Sequence, residues 1–208
     1  MPANPANSAP PDPEFHAFTA VLLAGGRSTR MGRDKASLPY AGGALWEHQL
    51  ATLRATGAGE VCISGPRNGP YANCGLPILE DQTPNAGPLA ALETALPRAP
   101  YVVVLAIDMP AMRADFLCAL MRVALQNQRS VIPEIDGRIE PLAAVYASTI
   151  APVVDEGLRG ADRSMHQLVR AAMRRDLAFT HPVPAESRML FRNLNTPQDL
   201  AGSSGLEE

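Results

Sequence analysis

Basic side chains cluster in a short stretch that begins with two adjacent glycines. Residues 23–35 read LAGGRSTRMGRDK, in which Arg27, Arg30, Arg33 and Lys35 put four positive charges into nine residues. Glycines let a backbone approach a ligand closely and turn N–H groups toward it. Guanidinium and ammonium groups suit phosphate oxygens. The stretch therefore predicts a triphosphate-binding loop, with an ordinary basic glycine turn as the alternative.

A carboxylate follows the most strand-like segment of the chain. Residues 101–107 (YVVVLAI) are apolar without alternation, which predicts a strand buried on both faces. Asp108 comes directly after it and is followed by Met109 and Pro110. Mg²⁺ usually takes one or two carboxylates together with phosphate oxygens. Asp108 is therefore a candidate Mg²⁺ ligand; the alternative is an aspartate that caps the next turn.

The predicted strands that precede the basic loop and Asp108 indicate that the loop and this aspartate lie close together. The apolar run 18–23 (FTAVLL) reads as a buried strand that ends at the glycines. Ligands of open α/β sheets bind at the carboxyl ends of the strands. The basic loop and Asp108 should consequently line one cleft, in which the backbone N–H groups of Ala24, Gly25 and Gly26 cradle a nucleotide.

Strand and helix patterns alternate along the rest of the chain. The predicted strands are 18–23, 60–64, 77–79, 101–107, 131–133, 142–146 and 190–194, and the predicted helices contain Trp46, Leu50 and Leu53; Leu89, Leu92 and Leu96; Leu117, Leu120, Met121 and Ala124; and Met165, Leu168, Val169 and Ala172. This alternation predicts an α/β fold with a mainly parallel sheet and helices on both faces. We expect one domain at 17–201, a disordered leader at 1–16 and a frayed tail at 202–208.

Three further residues are weaker candidates for ligand contact. Asp81 follows a short strand, where it either orients a base or ribose or is a surface turn residue. Asn193 and Asn195 flank Leu194, so in an extended segment they point to opposite faces. Asn195 also precedes Thr196 and Pro197 and could instead bond backbone groups in an Asx turn.

Two common nucleotide motifs do not fit the loop, and composition excludes other classes. A P-loop needs Ser or Thr after its lysine, whereas Ala36 follows Lys35, and the spacing of the glycines differs from the dinucleotide fingerprint. The net charge of −3 argues against nucleic-acid binding. No apolar run approaches the ~20 residues of a membrane span, and the first residues do not resemble a signal peptide. Cytoplasmic localisation is expected.

Taken together, these motifs resemble the molybdenum cofactor guanylyltransferase (MobA-like NTP transferase) family over most of the chain. The resemblance is carried by LAGGRSTRMGRDK at 23–35, ILED at 78–81, GPLAAL at 87–92, DMP at 108–110, EPLAAVY at 140–146 and NLNTPQDL at 193–200. It implies a three-layer Rossmann-like nucleotidyltransferase fold. Some members have a nucleotide-contacting asparagine where this chain has Ser64, Gly65 and Pro66. Cytidylyltransferase relatives tend to carry Ala and Pro where this chain has Gly25 and Asp34, so these positions favour guanine.

The resemblance also implies a site and a reaction. The nucleotide-binding residues would be Leu23, Ala24, Gly25, Lys35, Asp81 and Asp108, to which the loop adds Gly26 and Arg27. Asp108 would hold Mg²⁺, Lys35 and Arg30 would stabilise phosphate charge, and Asn193 and Asn195 would bind the acceptor. The expected reaction moves GMP from GTP onto the phosphate of molybdopterin and releases pyrophosphate.

Three alternatives remain open at the level of sequence. They are a molybdopterin cytidylyltransferase, a sugar-phosphate nucleotidyltransferase and a catalytically silent nucleotide-binding module. Because the cofactor is labile, transient contacts with other molybdenum cofactor proteins are also expected, although no segment of the chain identifies a partner.

Overall fold

The computed structural model describes residues 18–25 and 35–194, and the predicted leader and tail lie outside these ranges. Within them the strands are β1 (Phe18–Leu23), β2 (Pro39–Tyr40), β3 (Gly43–Ala44), β4 (Glu60–Ser64), β5 (Ile78–Leu79), β6 (Tyr101–Ala106), β7 (Ser130–Ile135), β8 (Arg138–Ile139), β9 (Ala143–Ala147) and β10 (Ala178–Pro182). The α-helices are α1 (Leu45–Arg54), α2 (Pro88–Ala95), α3 (Ala114–Asn127), α4 (Ala151–Arg159) and α5 (Met165–Arg174). None of these helices has the length and apolar character needed to cross a bilayer.

The central sheet is mixed but mainly parallel. Its strands follow the order β10-β7-β9-β6-β1-β4-β5, and β8 pairs with β7. β1 pairs in parallel with β6 and β4, β4 with β5, and β7 with β10. β9 runs antiparallel between β6 and β7, and the short β8 is also antiparallel to β7. The ends of β1, β4, β5, β6 and β7 therefore share one edge of the sheet with the start of β9.

Helices cover both faces of the sheet, which makes three layers. On one face Leu22 and Leu105 pack with α1 and α3. On the other face Val21 and Val104 pack with α2, α4 and α5. Every residue of β1 is buried, as expected for a strand with a helical layer on each side. The predicted α/β fold with a mainly parallel sheet and three layers is confirmed.

Local signals explain where several elements begin and end. Pro88 occupies the first turn of α2, where its missing N–H costs no hydrogen bond. Gly57 follows α1 with a φ of +76°, a left-handed conformation that glycine adopts at little cost. The predicted helices and strands up to residue 172 are present, apart from small shifts at their ends. α4, β10 and the short strands β2, β3 and β8 were not predicted.

The strand predicted at 190–194 is wrong. The chain forms a 3₁₀ segment, Ala185–Phe191, and then crosses the carboxyl edge of the sheet without joining it. Phe191 and Leu194 are buried in the core, so their apolar character reflects packing rather than strand pairing. The N–H of Leu194 donates to the carbonyl of Asp108 at 2.8 Å, which fixes this crossing beside the end of β6.

Candidate active site

Backbone hydrogen bonds join the strand ends at the carboxyl edge. The N–H of Ile107 donates to the carbonyl of Leu23 at 3.1 Å, and the N–H of Gly65 donates to the carbonyl of Leu79 at 3.1 Å. The N–H groups of Ala24 and Gly25 both donate to the carbonyl of Ser64 at 2.9 Å. The polypeptide that leaves β1 is therefore held beside the segments that leave β4 and β6.

An open cleft of about 690 Å³ lies on the β1–β4–β5 side of this edge. It is lined by Leu23, Ala24, Gly25, Ser64, Gly65, Pro66, Glu80, Asp81, Asn85, Gly87, Pro88 and Ala91. Four residues predicted to contact nucleotide are among them: Leu23, Ala24, Gly25 and Asp81. The segment 64–66, where the resemblance leads us to expect an asparagine in some relatives, also lines the cleft. A cleft of this size is within the range of small-molecule sites.

Lys35 and Asp108 meet at the same edge, although 73 positions separate them in sequence. Lys35 Nζ lies 3.3 Å from Asp108 Oδ2 and donates to the carbonyl of Leu194 at 2.9 Å. Their side chains are 20 % and 25 % exposed, so both remain open to a ligand. The basic loop's lysine and the strand-end aspartate therefore meet, as predicted, although neither is among the residues that line the cleft described above.

Helix α1 supports the turn that carries Asp108. Gln49 is fully buried, and its amide Nε2 donates to the carbonyls of Ala106 and Ile107 at 3.1 and 3.4 Å. His48 Nε2 bonds to the carbonyl of Pro110 at 2.9 Å. The role of Gln49 was not predicted from the sequence. The available signal was a glutamine spaced four residues from Leu45 and Leu53 on the apolar face of a helix.

The predicted cradle of N–H groups is wrong for Ala24 and Gly25. Both N–H groups already donate to the carbonyl of Ser64, because hydrogen bonding between the neighbouring β1 and β4 continues past the end of the strands. These residues line the cleft, but their amides are occupied. Gly26, the third residue of the predicted cradle, lies outside the described residues.

Asp81 lines the cleft, and its carboxyl lies near that of Glu93. Burial and the negative charge of Glu93 raise the pKa of its carboxyl. Glu93, on α2, accepts a hydrogen bond from the hydroxyl of Thr83 at 3.1 Å, which ties the loop carrying Asp81 to the helix. A hydrogen-bonding ligand would offset part of the cost of keeping Asp81 ionised.

The remaining predicted residues are less well defined. Asn193 is exposed and directly precedes Leu194, which bonds to both Lys35 and Asp108. Gly26, Arg27, Arg30 and Asn195 lie outside the described residues. Of the predicted acceptor pair, only Asn193 lies within the described residues, and its neighbour Leu194 contacts the lysine–aspartate pair.

Gly65 has no room for a side chain. A Cβ there would overlap the hydroxyl of the buried Tyr71 and lie 3.1 Å from its ring atom Cζ. We expect Gly65→Ala to destabilise the protein by about 1–3 kcal/mol, the usual cost of overpacking, and to weaken nucleotide binding. Thermal unfolding and a nucleotide titration measure both effects.

A second substitution controls for this steric explanation. In the double variant Gly65→Ala with Tyr71→Phe, the overlap between the added Cβ and the Tyr71 hydroxyl is absent. The double variant should therefore be more stable than the sum of the two single effects predicts. Additive effects of the two changes would contradict the proposed clash.

Sheet order, layering and the position of the cleft define the class as a Rossmann-like nucleotidyltransferase fold. The molybdopterin-guanine dinucleotide biosynthesis protein A of Archaeoglobus fulgidus aligns with a TM-score of 0.74 at 24 % identity, covering 89 % of this chain and 96 % of that one. A 2-C-methyl-D-erythritol 4-phosphate cytidylyltransferase of Thermus thermophilus aligns with a TM-score of 0.64 at 21 % identity, covering 89 % and 96 %. At such identities the likeness establishes the fold.

Sequence comparison identifies the family. The family model described as MobA-like NTP transferase domain matches residues 20–178. A probable molybdenum cofactor guanylyltransferase of Opitutus terrae is 35 % identical over 188 residues, covering 88 % of this chain and 93 % of that one. One of the same name from Mycobacterium tuberculosis is 36 % identical over 180 residues, covering 82 % and 89 %. The chain belongs to the MobA-like NTP transferase family, and it is a nucleotidyltransferase.

Proposed function

We propose that the protein transfers GMP from GTP to the terminal phosphate of molybdopterin, forming the guanine dinucleotide cofactor and pyrophosphate. The observation that carries this proposal is the pairing of Lys35 with Asp108 at the edge of the sheet that also holds a cleft lined by Asp81. Relatives at 35 % and 36 % identity are named as probable molybdenum cofactor guanylyltransferases, which supports the choice of substrates.

The cleft suggests how GTP lies across the edge. The base end occupies the side of Asp81 and Asn85, and the triphosphate extends toward Lys35, with Arg27 and Arg30 supplying further positive charge. Guanine presents two adjacent N–H donors, at N1 and N2, which a carboxylate such as that of Asp81 can accept together. Cytosine presents one amino donor beside an acceptor, so the same carboxylate favours guanine.

Asp108 has the chemistry of an Mg²⁺ ligand. Within the described residues its carboxylate bonds only to Lys35, through Oδ2. The same residues contain no group of three His, Cys, Asp or Glu side chains that could hold a metal by themselves. Asp108 is therefore suited to a metal that arrives with a triphosphate, whose oxygens complete the coordination. Bound Mg²⁺ would neutralise phosphate charge and polarise the phosphate oxygens.

The reaction needs positioning and charge neutralisation rather than a protein nucleophile. An oxygen of the acceptor phosphate attacks the α-phosphorus of GTP, the bond from that phosphorus to the bridging oxygen breaks, and pyrophosphate leaves. Lys35 is held by Asp108 and by the carbonyl of Leu194, so its ammonium is oriented before the substrate binds. Asn193, which precedes Leu194, would bind the acceptor, and Arg30 would add positive charge for the triphosphate.

Ligand-dependent thermal unfolding tests the choice of nucleotide. At a GTP concentration 100 times its dissociation constant, binding with Mg²⁺ should stabilise the fold by about 2.7 kcal/mol, which corresponds to a rise in Tm of about 5–11 °C for a protein of this size. CTP, ATP and UTP should give smaller rises. Asp81→Asn should reduce the advantage of GTP over CTP, because the amide replaces one acceptor oxygen with a donor.

Two outcomes would contradict the proposal. Stronger stabilisation by CTP than by GTP would indicate a cytidylyltransferase. Stabilisation by GTP without pyrophosphate release, when molybdopterin is supplied as acceptor, would indicate a binding module that lacks this chemistry.

A further inference from the structure

Glu140 lies at the same edge of the sheet as Asp108, in the segment that enters β9. Its N–H donates to the carbonyl of Pro133 at 2.8 Å, in β7 two residues before that strand ends. Two residues later, the carbonyl of Leu142 accepts a hydrogen bond from the N–H of Ala106 at 2.8 Å, at the end of β6. The reversed direction of β9 is what brings this segment to the edge where the other strands end.

The carboxylate of Glu140 is half-buried and lacks a hydrogen-bond donor within residues 18–25 and 35–194. Burial raises the pKa of this carboxyl, and the nearby charges of His166, on α5, and Arg138, on β8, only partly oppose that shift. Desolvating a carboxylate without supplying donors is costly. A ligand that brings N–H donors would offset this cost.

Glu140 and Asp108 are close enough for one extended acceptor to contact both. Ala106 and Leu142 are hydrogen-bonded neighbours, and each chain continues two residues beyond that pair to reach Asp108 and Glu140. Adjacent strands are about 5 Å apart and each residue adds at most ~3.6 Å, so the separation is on the order of 10 Å. A pterin ring joined to a phosphate by a short side chain spans such a distance.

We propose that Glu140 accepts hydrogen bonds from the N3–H and the 2-amino group of the acceptor's pterin ring while the acceptor's phosphate lies at Asp108 and Lys35. This inference rests on the proposed function, which makes a pterin the acceptor. The two N–H groups are adjacent and parallel, so they match the two oxygens of a carboxylate. Guanine carries the same donor pair, and Asp81 stands on the nucleotide side. Each side of the active site then has a carboxylate that recognises the same chemical pattern.

The test compares two stable fluorescent probes that differ at one ring position. 6-Hydroxymethylpterin phosphate carries the 2-amino group, whereas 6-hydroxymethyl-lumazine phosphate carries a 2-oxo group that repels a carboxylate. The unmodified protein with Mg²⁺ should bind the pterin at least about tenfold more tightly, since hydrogen bonds to a charged group contribute this much or more. Glu140→Gln should abolish most of that preference in fluorescence titrations.

Glu60→Gln is the matched control, because Glu60 begins β4 at the opposite edge of the sheet and pairs with Arg98. It should keep the preference for the pterin. Equal binding of the two probes, no binding of either, or an unchanged preference in Glu140→Gln would overturn the proposal.

Thermal stabilisation by GTP, measured on the same samples, separates this proposal from the proposed function. Protein that prefers GTP and releases pyrophosphate with molybdopterin, but does not discriminate between the probes, would retain its transferase function while the role of Glu140 is rejected.

Discussion

Asp108→Ala should leave a folded protein whose turnover falls by at least ~10²-fold, because metal stabilisation of transferring phosphates supplies several kcal/mol. The side chain's ion pair with Lys35 is partly exposed, so its loss should lower the free energy of unfolding by only about 0–1 kcal/mol. The backbone bond between Asp108 and Leu194 is unaffected by the substitution. Pyrophosphate release, followed at saturating GTP and Mg²⁺, measures the effect.

Asp155→Ala provides the control for Asp108→Ala. Asp155 is exposed on α4, away from the carboxyl edge, so the same change there should leave turnover unaltered. Near-normal turnover in Asp108→Ala, or an equal loss in both variants, would rule out Asp108 as the metal-binding carboxylate.

Lys35→Met should reduce kcat/KM by about 10- to 150-fold, the range for removing charged hydrogen bonds worth 1.5–3 kcal/mol. Lys35 is the only lysine in the chain, whose other basic residues are all arginine. Its compact ammonium contacts both Asp108 and the carbonyl of Leu194. Lys35→Arg keeps the charge, but the planar guanidinium does not reproduce these two contacts, so activity should recover only in part.

Initial rates and GTP titrations on the same preparations separate binding from turnover in the Lys35 variants. Arg175→Met, which removes an exposed cation paired with Glu156, serves as the charge-matched control. Unchanged kinetics in Lys35→Met would argue against a specific role for the Lys35 ammonium. Full activity in Lys35→Arg, together with a loss of activity in Arg175→Met, would argue against it as well.

The fold was largely predictable because local patterns follow burial. The unbroken apolar run at 101–107 identified a central strand, and its position before Asp108 located the carboxyl edge. The lysine–aspartate pair was predictable for the same reason, since parallel strands end together. The apolar run at 190–194 led to a wrong strand prediction, because Phe191 and Leu194 are buried by packing in the core without pairing in the sheet.

Contacts between distant segments were not predictable. The carbonyl of Ser64 occupies the amides of Ala24 and Gly25, which depends on β4 lying beside β1. The support that Gln49 gives to the turn before Asp108 depends on how α1 packs on the sheet. Each is a hydrogen bond between elements that the sequence separates, and no local periodicity encodes such a partner.

Because β9 runs in the reverse direction, the two halves of the edge are built from opposite ends of their strands. β1, β4 and β5 line the cleft with residues that follow strands, whereas the segment before β9 lines the other half with residues that precede one. A substitution in the segment between β8 and β9 therefore changes residues that precede a strand, whereas a substitution in the cleft changes residues at or after the ends of strands.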